Sequence, residues 1–157
     1  MKFAVINGPN LNLLGLREPE LYGTGTFKAL EQFIIRVCEK EGLHVSLFQS
    51  NHEGALIDRI QQCYGTVDGI IINPAAYSHT SIALMDALKA VALPAVEVHL
   101  TDIQSREEFR RHSYTALACL HTFSGLGFEG YRQAILYLKE YLEKQKNCGT
   151  VSAADSI

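Results

Sequence analysis

Two kinds of segment alternate five times along the chain, and this alternation most restricts the folds that are possible. Short apolar runs bounded by turn residues are typical of β-strands, whereas longer segments with apolar residues at about 3.6-residue spacing are typical of amphipathic helices. Strands that alternate with helices build a parallel sheet covered on both faces. The sequence therefore predicts one doubly wound α/β domain with a five-stranded parallel sheet. Its predicted strands are residues 2–7, 43–50, 68–76, 94–100 and 116–125.

The predicted helices carry start and stop signals. Pro94 ends the third helical segment, and Ser105 with Glu108 has the spacing of a capping box, which predicts a short fourth helix. The single domain is expected to span 1–146, and the small, polar residues 147–157 are expected to form a flexible tail. The helices are predicted at residues 26–42, 53–65, 80–93, 105–112 and 131–146.

Charge and hydropathy exclude several classes of function. The net charge of −3 gives no overall basic field, so nucleic acid is not expected as a partner. No apolar run approaches the ~18 residues of a membrane span, and the first residues lack a signal-peptide core, so a cytoplasmic protein is predicted. The four cysteines have no C-x-x-C spacing, which argues against a zinc cluster or a disulfide framework. Cys38 and Cys119 are predicted to be buried thiols.

Ligands of open α/β sheets bind beyond the carboxyl ends of the strands, so the residues at those ends are the candidates for function. Polar and titratable side chains collect at this edge of the predicted sheet. Each also has a simpler interpretation, because a histidine or asparagine there is commonly a capping or turn residue. The residues in question are Asn51, His52, Asn73, Ser78, His79, Glu97, His99, Thr101 and Asp102.

Glu97 and His99 form the clearest candidate pair. They lie two residues apart on a strand that should be covered on both faces, so their side chains point to the same side. A buried carboxylate needs a partner, and a carboxylate that holds one imidazole nitrogen orients the ring for acid–base chemistry. We therefore interpret this pair as functional.

The connection after the first strand is unusually long. It reads GPNLNLLGLREPELYG at residues 8–23, whereas such connections usually have roughly two to six residues. Connections of this length are either functional or disordered. Because it follows a strand end directly, we expect Asn10, Arg17 and Tyr22 to lie at the ligand-binding edge.

Other patterns carry weaker signals. Gly125, Gly127 and Gly130 match the G-x-G-x-x-G fingerprint of dinucleotide-binding proteins, but they follow the last strand and no further βαβ unit comes after them. A turn that packs the last helix closely against a strand is the favoured interpretation. The histidines at positions 52, 79 and 99 lack the spacing of a zinc site, so no metal is predicted.

Four blocks of the sequence together resemble the type II 3-dehydroquinate dehydratases. They are NGPNLNLLGLREPELYG, NPAAYSHTSIALMDAL, EVHLTDIQSREEFRRHS and SGLGFEGY, and the resemblance covers roughly residues 3–140. It implies a flavodoxin-like fold and a lyase that dehydrates 3-dehydroquinate to 3-dehydroshikimate through an enolate, without a metal or an organic cofactor. The implied pathway is the shikimate pathway of aromatic amino-acid biosynthesis or the breakdown of quinate.

The resemblance also implies roles for individual residues. Tyr22 is similar to the family's base, which removes a proton from C2 of the substrate, and Arg17 is similar to its activator. Asn10 is similar to a residue that organises the enolate oxygen or its water. His99, oriented by Glu97, is similar to the acid that protonates the departing hydroxyl. The implied substrate-binding residues are Asn73, His79, Leu100, Thr101, Arg110 and Asp86, the last provided by a neighbouring subunit in trimers that pack into dodecamers.

Two positions depart from the family pattern. Ala75 stands where Gly is common, so the turn before His79 is expected to differ slightly. Asp102 stands where Asn is frequent and adds a negative charge beside a site for an anionic substrate. Neither position has a chemical role, so we expect both departures to affect affinity more than the reaction.

The implied roles of Arg17 and Tyr22 require the two side chains to act together. A tyrosine has an ordinary pKa of about 10, so lowering it to neutrality requires about 4 kcal/mol. A guanidinium at ~4 Å supplies about 1 kcal/mol in bulk water and about 4 kcal/mol at an effective dielectric constant of ~20. Burial alone would raise the pKa of the hydroxyl. Residues 17–25 are therefore predicted to be a lid that closes over the substrate.

A flavodoxin-like module that binds a flavin or a nucleotide is the alternative function from another class. It would need a phosphate-binding loop rich in Ser, Thr and Gly after the first strand, where this chain has Gly-Pro-Asn-Leu-Asn. A phospho-receiver domain would need an acidic pair at the same place, and the sequence has none there. A yellow colour of the purified protein would favour the flavin interpretation.

Overall fold

Five parallel strands form one sheet in the computed structural model of the protein, which describes residues 1–16 and 25–151. Their spatial order, β2-β1-β3-β4-β5, is that of flavodoxin-like folds. The predicted five-stranded parallel sheet is therefore confirmed. The strands are β1 (Lys2–Asn7), β2 (His44–Gln49), β3 (Gly69–Asn73), β4 (Ala95–His99) and β5 (His121–Ser124).

Helices cover both faces of this sheet, as predicted. Side-chain caps start two of them: the Thr26 hydroxyl accepts from the amide of Ala29 at 3.1 Å, and the Ser81 hydroxyl accepts from the amide of Leu84 at 3.0 Å. The α-helices in the described ranges are α1 (Phe27–Lys40), α2 (Glu53–Gln62), α3 (Ile82–Val91) and α4 (Phe128–Val151).

The side chains of β1 alternate between two cores, one on each face of the sheet. Phe3 and Val5 belong to the core beneath α1 and α4, whereas Ala4 and Ile6 belong to the core beneath α2 and α3. All four are fully buried, as expected for a parallel sheet covered on both faces. Full burial of a Val, Ile or Phe side chain contributes about 1.5–3 kcal/mol. The two cores therefore hold the strand ends in place.

The switch in strand order lies between β1 and β3. The chain runs from β1 to β2 on one side and then returns to place β3 on the other side, so the connections diverge above these two strands. Asn7 and Asn73 end β1 and β3 and are register partners. Such a switch point leaves a crevice at the carboxyl ends of the strands, which is where flavodoxin-like folds bind ligands.

The connection between β4 and β5 differs from its predicted form. The prediction of a helix at 105–112 is wrong, because the segment forms two short 3₁₀ helices, Ile103–Ser105 and Glu108–Arg110. The Ser105 hydroxyl donates to the carbonyl of Asp102, so it closes the first turn instead of capping a later helix. Because residues 115–118 form a third 3₁₀ turn, β5 begins later in the chain and is shorter than predicted.

The glycines of the last connection form the close-packing turn that the sequence favours. Gly125 and Gly127 have positive φ angles of 80° and 56°. A Cβ atom at Gly130 would lie 3.2 Å from Cγ1 of Val98, so α4 approaches β4 closely at this point. This contact explains the G-x-G-x-x-G match without a dinucleotide.

The last helix continues to Val151, past the predicted end of the domain at residue 146. The remainder of the predicted tail, residues 152–157, lies outside the described residues. No helix within the described ranges is long and apolar enough to cross a membrane.

The substitutions Gly8→Ala and Gly54→Ala should have opposite effects on stability. A Cβ atom at Gly8 would lie 2.4 Å from the backbone oxygen of Pro74, and such overpacking costs about 1–3 kcal/mol. At Gly54, in α2, no heavy atom outside the helix backbone lies within 4 Å, so an alanine should stabilise the helix by about 0.5–1 kcal/mol. Urea unfolding of both variants measures the difference, and equal effects would contradict this account.

Candidate active site

A cavity opens at the carboxyl ends of β1, β3 and β4, where the sequence predicts the ligand site. Its wall combines amides, imidazoles and guanidinium groups with short apolar stretches. This mixture is typical of a pocket that orients a polar small molecule. Seven of the predicted site residues line it: Asn10, Asn73, His79, His99, Leu100, Thr101 and Arg110.

The remaining four predicted residues have other positions. Glu97 is fully buried directly behind His99. Asp86 is exposed on α3 and is not part of the cavity wall. Arg17 and Tyr22 lie outside the described residues, together with most of the predicted lid.

Glu97 holds His99 by a direct hydrogen bond, as the spacing of the two residues predicts. Nε2 of His99 lies 2.5 Å from Oε1 of Glu97, and the imidazole is 5% exposed. A carboxylate only accepts hydrogen bonds, so Nε2 carries the proton of this bond. Nδ1 is therefore the ring nitrogen that Glu97 leaves available for proton exchange.

Two hydroxyl groups complete the surroundings of the Glu97 carboxylate. The Ser113 hydroxyl donates to Oε1 at 2.8 Å, and the Thr115 hydroxyl donates to Oε2. With His99 they give the buried carboxylate three donors, which offset the cost of removing its charge from water. Sequence reasoning missed both hydroxyls, because no local pattern connects them to a strand 16 and 18 residues earlier.

His79 is held through Nδ1, whereas His99 is held through Nε2. Its Nδ1 donates to the carbonyl of His112 at 2.7 Å, which leaves Nε2 as the acceptor in the neutral ring. Burial lowers the pKa of His79, and the nearby charges of His99 and Arg110 act in the same direction. The bond to the His112 carbonyl opposes this shift without overcoming it. His79 is therefore suited to accept a hydrogen bond from a ligand.

A buried network of three side chains supports the floor of the cavity. The Tyr131 hydroxyl donates to Oδ1 of Asn7 at 2.7 Å and accepts from Nδ2 of Asn73 at 3.0 Å. Burial raises the pKa of Tyr131, so its hydroxyl keeps the proton that it donates. Oδ1 of Asn73 accepts from the amide of Ala75, which has a left-handed φ of 52°. The network thus holds the turn before His79 in a conformation that ordinarily favours glycine.

The end of β2 holds the first connection against the cavity. Oδ1 of Asn51 accepts from the amide of Asn10 at 2.9 Å, and Asn10 has a left-handed φ of 67°. Nε2 of Gln49 donates to the carbonyl of Gly8 at 3.2 Å and to Asn51 at 3.1 Å. Gln49 and Asn51, at the end of β2, therefore hold the backbone that places Asn10 in the cavity wall.

Arginines give the cavity a positive rim. Arg110 and Arg106 both line the cavity, and Oε2 of Glu107 lies 3.2 Å and 3.4 Å from their respective Nε atoms. The Nε atom of Arg110 is nevertheless buried without a hydrogen-bond partner among the described residues. A guanidinium in a cavity wall is well suited to bind a carboxylate.

The turn after β4 is held by hydrogen bonds from the end of β5 and from the connection between β5 and α4. The carbonyls of His99 and Leu100 accept from the amides of Gly125 and Gly127, at 3.2 Å and 2.9 Å. The carbonyl of Thr101 accepts from the Ser124 hydroxyl at 3.1 Å. These bonds occupy the carbonyls of the turn and give it one conformation at the cavity wall.

Comparison with known proteins identifies the family. The sequence profile of the family described as Dehydroquinase class II matches residues 1–139. A protein named 3-dehydroquinate dehydratase from Carboxydothermus hydrogenoformans is 49% identical over 154 residues, which cover 98% of this chain and 100% of that protein. The chain belongs to the class II dehydroquinase family.

Further members of the family agree in sequence and in structure. A 3-dehydroquinate dehydratase from Aliarcobacter butzleri is 51% identical over 93% of this chain and 89% of that protein. The crystal structure of a type II dehydroquinase from Butyrivibrio crossotus is 46% identical, with a TM-score of 0.87 over 88% of this chain and 97% of that chain. The family match favours a lyase over the flavin- or nucleotide-binding module.

The cysteines and histidines of this family member form no metal site in the parts of the chain that the structure describes. Cys38 is buried as predicted, and burial raises its pKa to about 11. The prediction for Cys119 is wrong in part, because this residue follows a 3₁₀ turn rather than lying within β5 and is only partly buried. Burial raises the pKa of this thiol as well.

The substitution His79→Gln should flatten the pH dependence of stability on the acid side. The pKa of His79 is lower in the folded protein than its ordinary value of 6.5, so the unfolded state binds a proton more readily. This contribution to stability is complete above about pH 6.5 and is lost as the pH falls through the lower pKa of the folded state. Urea unfolding between about pH 5 and 7 measures the slope. A variant with the wild-type slope would contradict this account.

Proposed function

We propose that this chain is a 3-dehydroquinate dehydratase that converts 3-dehydroquinate to 3-dehydroshikimate, in the shikimate pathway or in quinate breakdown. The observation that carries the proposal is the hydrogen bond between buried Glu97 and His99, which lines the same cavity as Arg110, within a chain of the class II dehydroquinase family. The cavity offers cationic groups for a carboxylate and imidazoles for proton transfer.

The first step of the proposed reaction is removal of a proton beside the ketone by Tyr22, with Arg17 lowering the pKa of its hydroxyl. Support for this role comes from the described residues on either side of 17–24, which make up most of the predicted lid. A Cβ atom at Gly15 would lie 3.2 Å from Cα of Thr26 and 3.3 Å from the carbonyl oxygen of Gly25. Gly15 therefore lies close to Gly25 and Thr26, and this proximity of the residues on either side of 17–24 supports the proposal.

The enolate formed in this step needs a hydrogen-bond donor at its oxygen. We assign this role to a water that Asn10 organises. His99 then gives the proton on Nδ1 to the hydroxyl of the adjacent carbon, which leaves as water while the carbon–carbon double bond forms. Glu97 stabilises the imidazole in this role, because it keeps Nε2 protonated and the ring in one orientation.

Binding of the substrate carboxylate is assigned to Asn73 and to the backbone amides of Leu100 and Thr101. Arg110, which lines the cavity, adds a positive charge. His79 would accept from a hydroxyl of the ring, because its neutral form is favoured. Asn73 keeps one Nδ2 proton for this purpose after its bond to Tyr131.

Asp86 is proposed to complete the site of a neighbouring subunit in a dodecamer built from trimers. The carboxylate is exposed on α3 and lies outside the cavity of its own chain, which supports a role in trans. Dissociated subunits should then lose activity that reassembly restores.

Addition of 3-dehydroquinate to the purified protein should produce ultraviolet absorbance from the conjugated enone of the product. The reaction should proceed without added metal or cofactor, and borohydride in the presence of substrate should leave activity intact, because no imine forms. A folded and assembled protein that produces no absorbance would contradict the assignment. Trapping of a lysine by borohydride would contradict the enolate route.

The substitution Tyr22→Phe should lower kcat by about 10²- to 10⁴-fold while KM changes little, because general-base catalysis contributes about this factor. Tyr64→Phe, at a side chain that is 72% exposed, is the matched control and should keep wild-type turnover. Retained turnover in Tyr22→Phe would show that another group removes the proton.

A further inference from the structure

One short segment of the connection between β4 and β5 contacts the surroundings of both cavity histidines. The segment is His112–Thr115, which follows the second 3₁₀ turn of this connection. On one side the carbonyl of His112 accepts from Nδ1 of His79 at 2.7 Å. The amide of Tyr114 donates to the carbonyl of Ser78 at 2.8 Å, so the segment also holds the backbone beside His79.

On the other side the same segment reaches Glu97. The Ser113 hydroxyl donates to Oε1 at 2.8 Å, and the fully buried Thr115 hydroxyl donates to Oε2. Oε1 is also the atom that holds His99, so one carboxylate oxygen is shared between the imidazole and a hydroxyl. The segment therefore contacts one histidine directly and the other through a single carboxylate.

The two hydroxyls have no proton to spare for other partners. Each carries one proton, and a carboxylate is a stronger acceptor than a hydroxyl, so both protons go to Glu97 although the Ser113 and Thr115 oxygens lie only 3.1 Å apart. The Ser113 oxygen also accepts from the amide of Ala116 at 3.2 Å, which ties it to the following turn. Both donors are thus fixed before a ligand binds.

We propose that Ser113 and Thr115 are positioning residues, which hold the Glu97 carboxylate in one rotamer and thereby set the orientation of His99 relative to His79. Without the Thr115 hydroxyl, Oε2 would be buried without a donor, and the carboxylate would rotate toward another donor. This rotation moves Oε1 away from Nε2 of His99. The expected change in kcat rests on the proposed function. The expected change in the orientation of His99 does not.

The kinetic test compares Thr115→Val with Thr115→Ser. Val removes the hydroxyl at nearly constant volume, and we expect kcat to fall about 10- to 100-fold with KM within about threefold, because a charge-assisted hydrogen bond is lost. Ser keeps the hydroxyl and should restore kcat to within about threefold of the wild type. Should Thr115→Val fail to fold, Ser113→Ala at the less buried hydroxyl is used instead, with an expected loss of about three- to tenfold in kcat.

If Thr115 acts through Glu97, its substitution should matter only while Glu97 is intact. A general loss of stability would not depend on Glu97 in this way. In a Glu97→Gln background, Thr115→Val should cost less than about threefold in kcat, because the group through which it acts is already altered. Independent losses that multiply in the double variant would overturn the proposal. Equal loss in Thr115→Val and Thr115→Ser would overturn it as well, because the methyl group and not the hydroxyl would then matter.

Nitrogen-15 NMR of histidine-labelled protein tests the structural part without any turnover. The wild type should show a proton on Nε2 of His99 that exchanges slowly with water. Thr115→Val should lose this signal and Thr115→Ser should keep it, while the Ser113→Ala/Thr115→Val variant should also shift the resonances of His79. Unchanged His99 signals in Thr115→Val, or unchanged His79 signals in the double variant, would overturn the inference. A wild type with these signals but no dehydratase activity would overturn the proposed function instead.

Discussion

The buried carboxylate of Glu97 is the interaction on which the arrangement of the cavity depends. It lies in the middle of a parallel sheet, where an unpaired charge would cost several kcal/mol or more. Three donors offset this cost, His99 from the same strand and Ser113 and Thr115 from the connection that follows. The connection cannot move away from the sheet without removing two of these three donors, so the contacts of Ser113 and Thr115 hold it against β4.

Irregular backbone is what lets this connection serve the cavity. The second 3₁₀ turn ends at Arg110, and the irregular backbone after it places the carbonyl of His112 at Nδ1 of His79. Of the two arginines of the positive rim, Arg106 directly follows the first 3₁₀ turn and Arg110 ends the second. These cavity groups therefore come from a loop that a rigid scaffold positions.

The two cavity histidines are held at opposite ring nitrogens, and this difference suits them to different tasks. His79 donates through Nδ1 to a neutral carbonyl, and burial keeps its pKa low, so the ring acts as a neutral hydrogen-bonding group. His99 donates through Nε2 to a carboxylate, which leaves Nδ1 as its second ring nitrogen for other partners. One pocket thus presents two imidazoles that are held through different ring nitrogens.

Sequence periodicity by itself determined the five strands, the covering helices and the side-by-side placement of Glu97 and His99, because these features arise from contacts between near neighbours in the chain. It failed at the 3₁₀ turns, where packing outweighs local propensity. Only the tertiary structure brought Tyr131 to Asn7 across 124 positions and Thr115 to Glu97 across 18. Such contacts leave no periodic trace in a single sequence, because they depend on how the layers pack and not on the residues beside them.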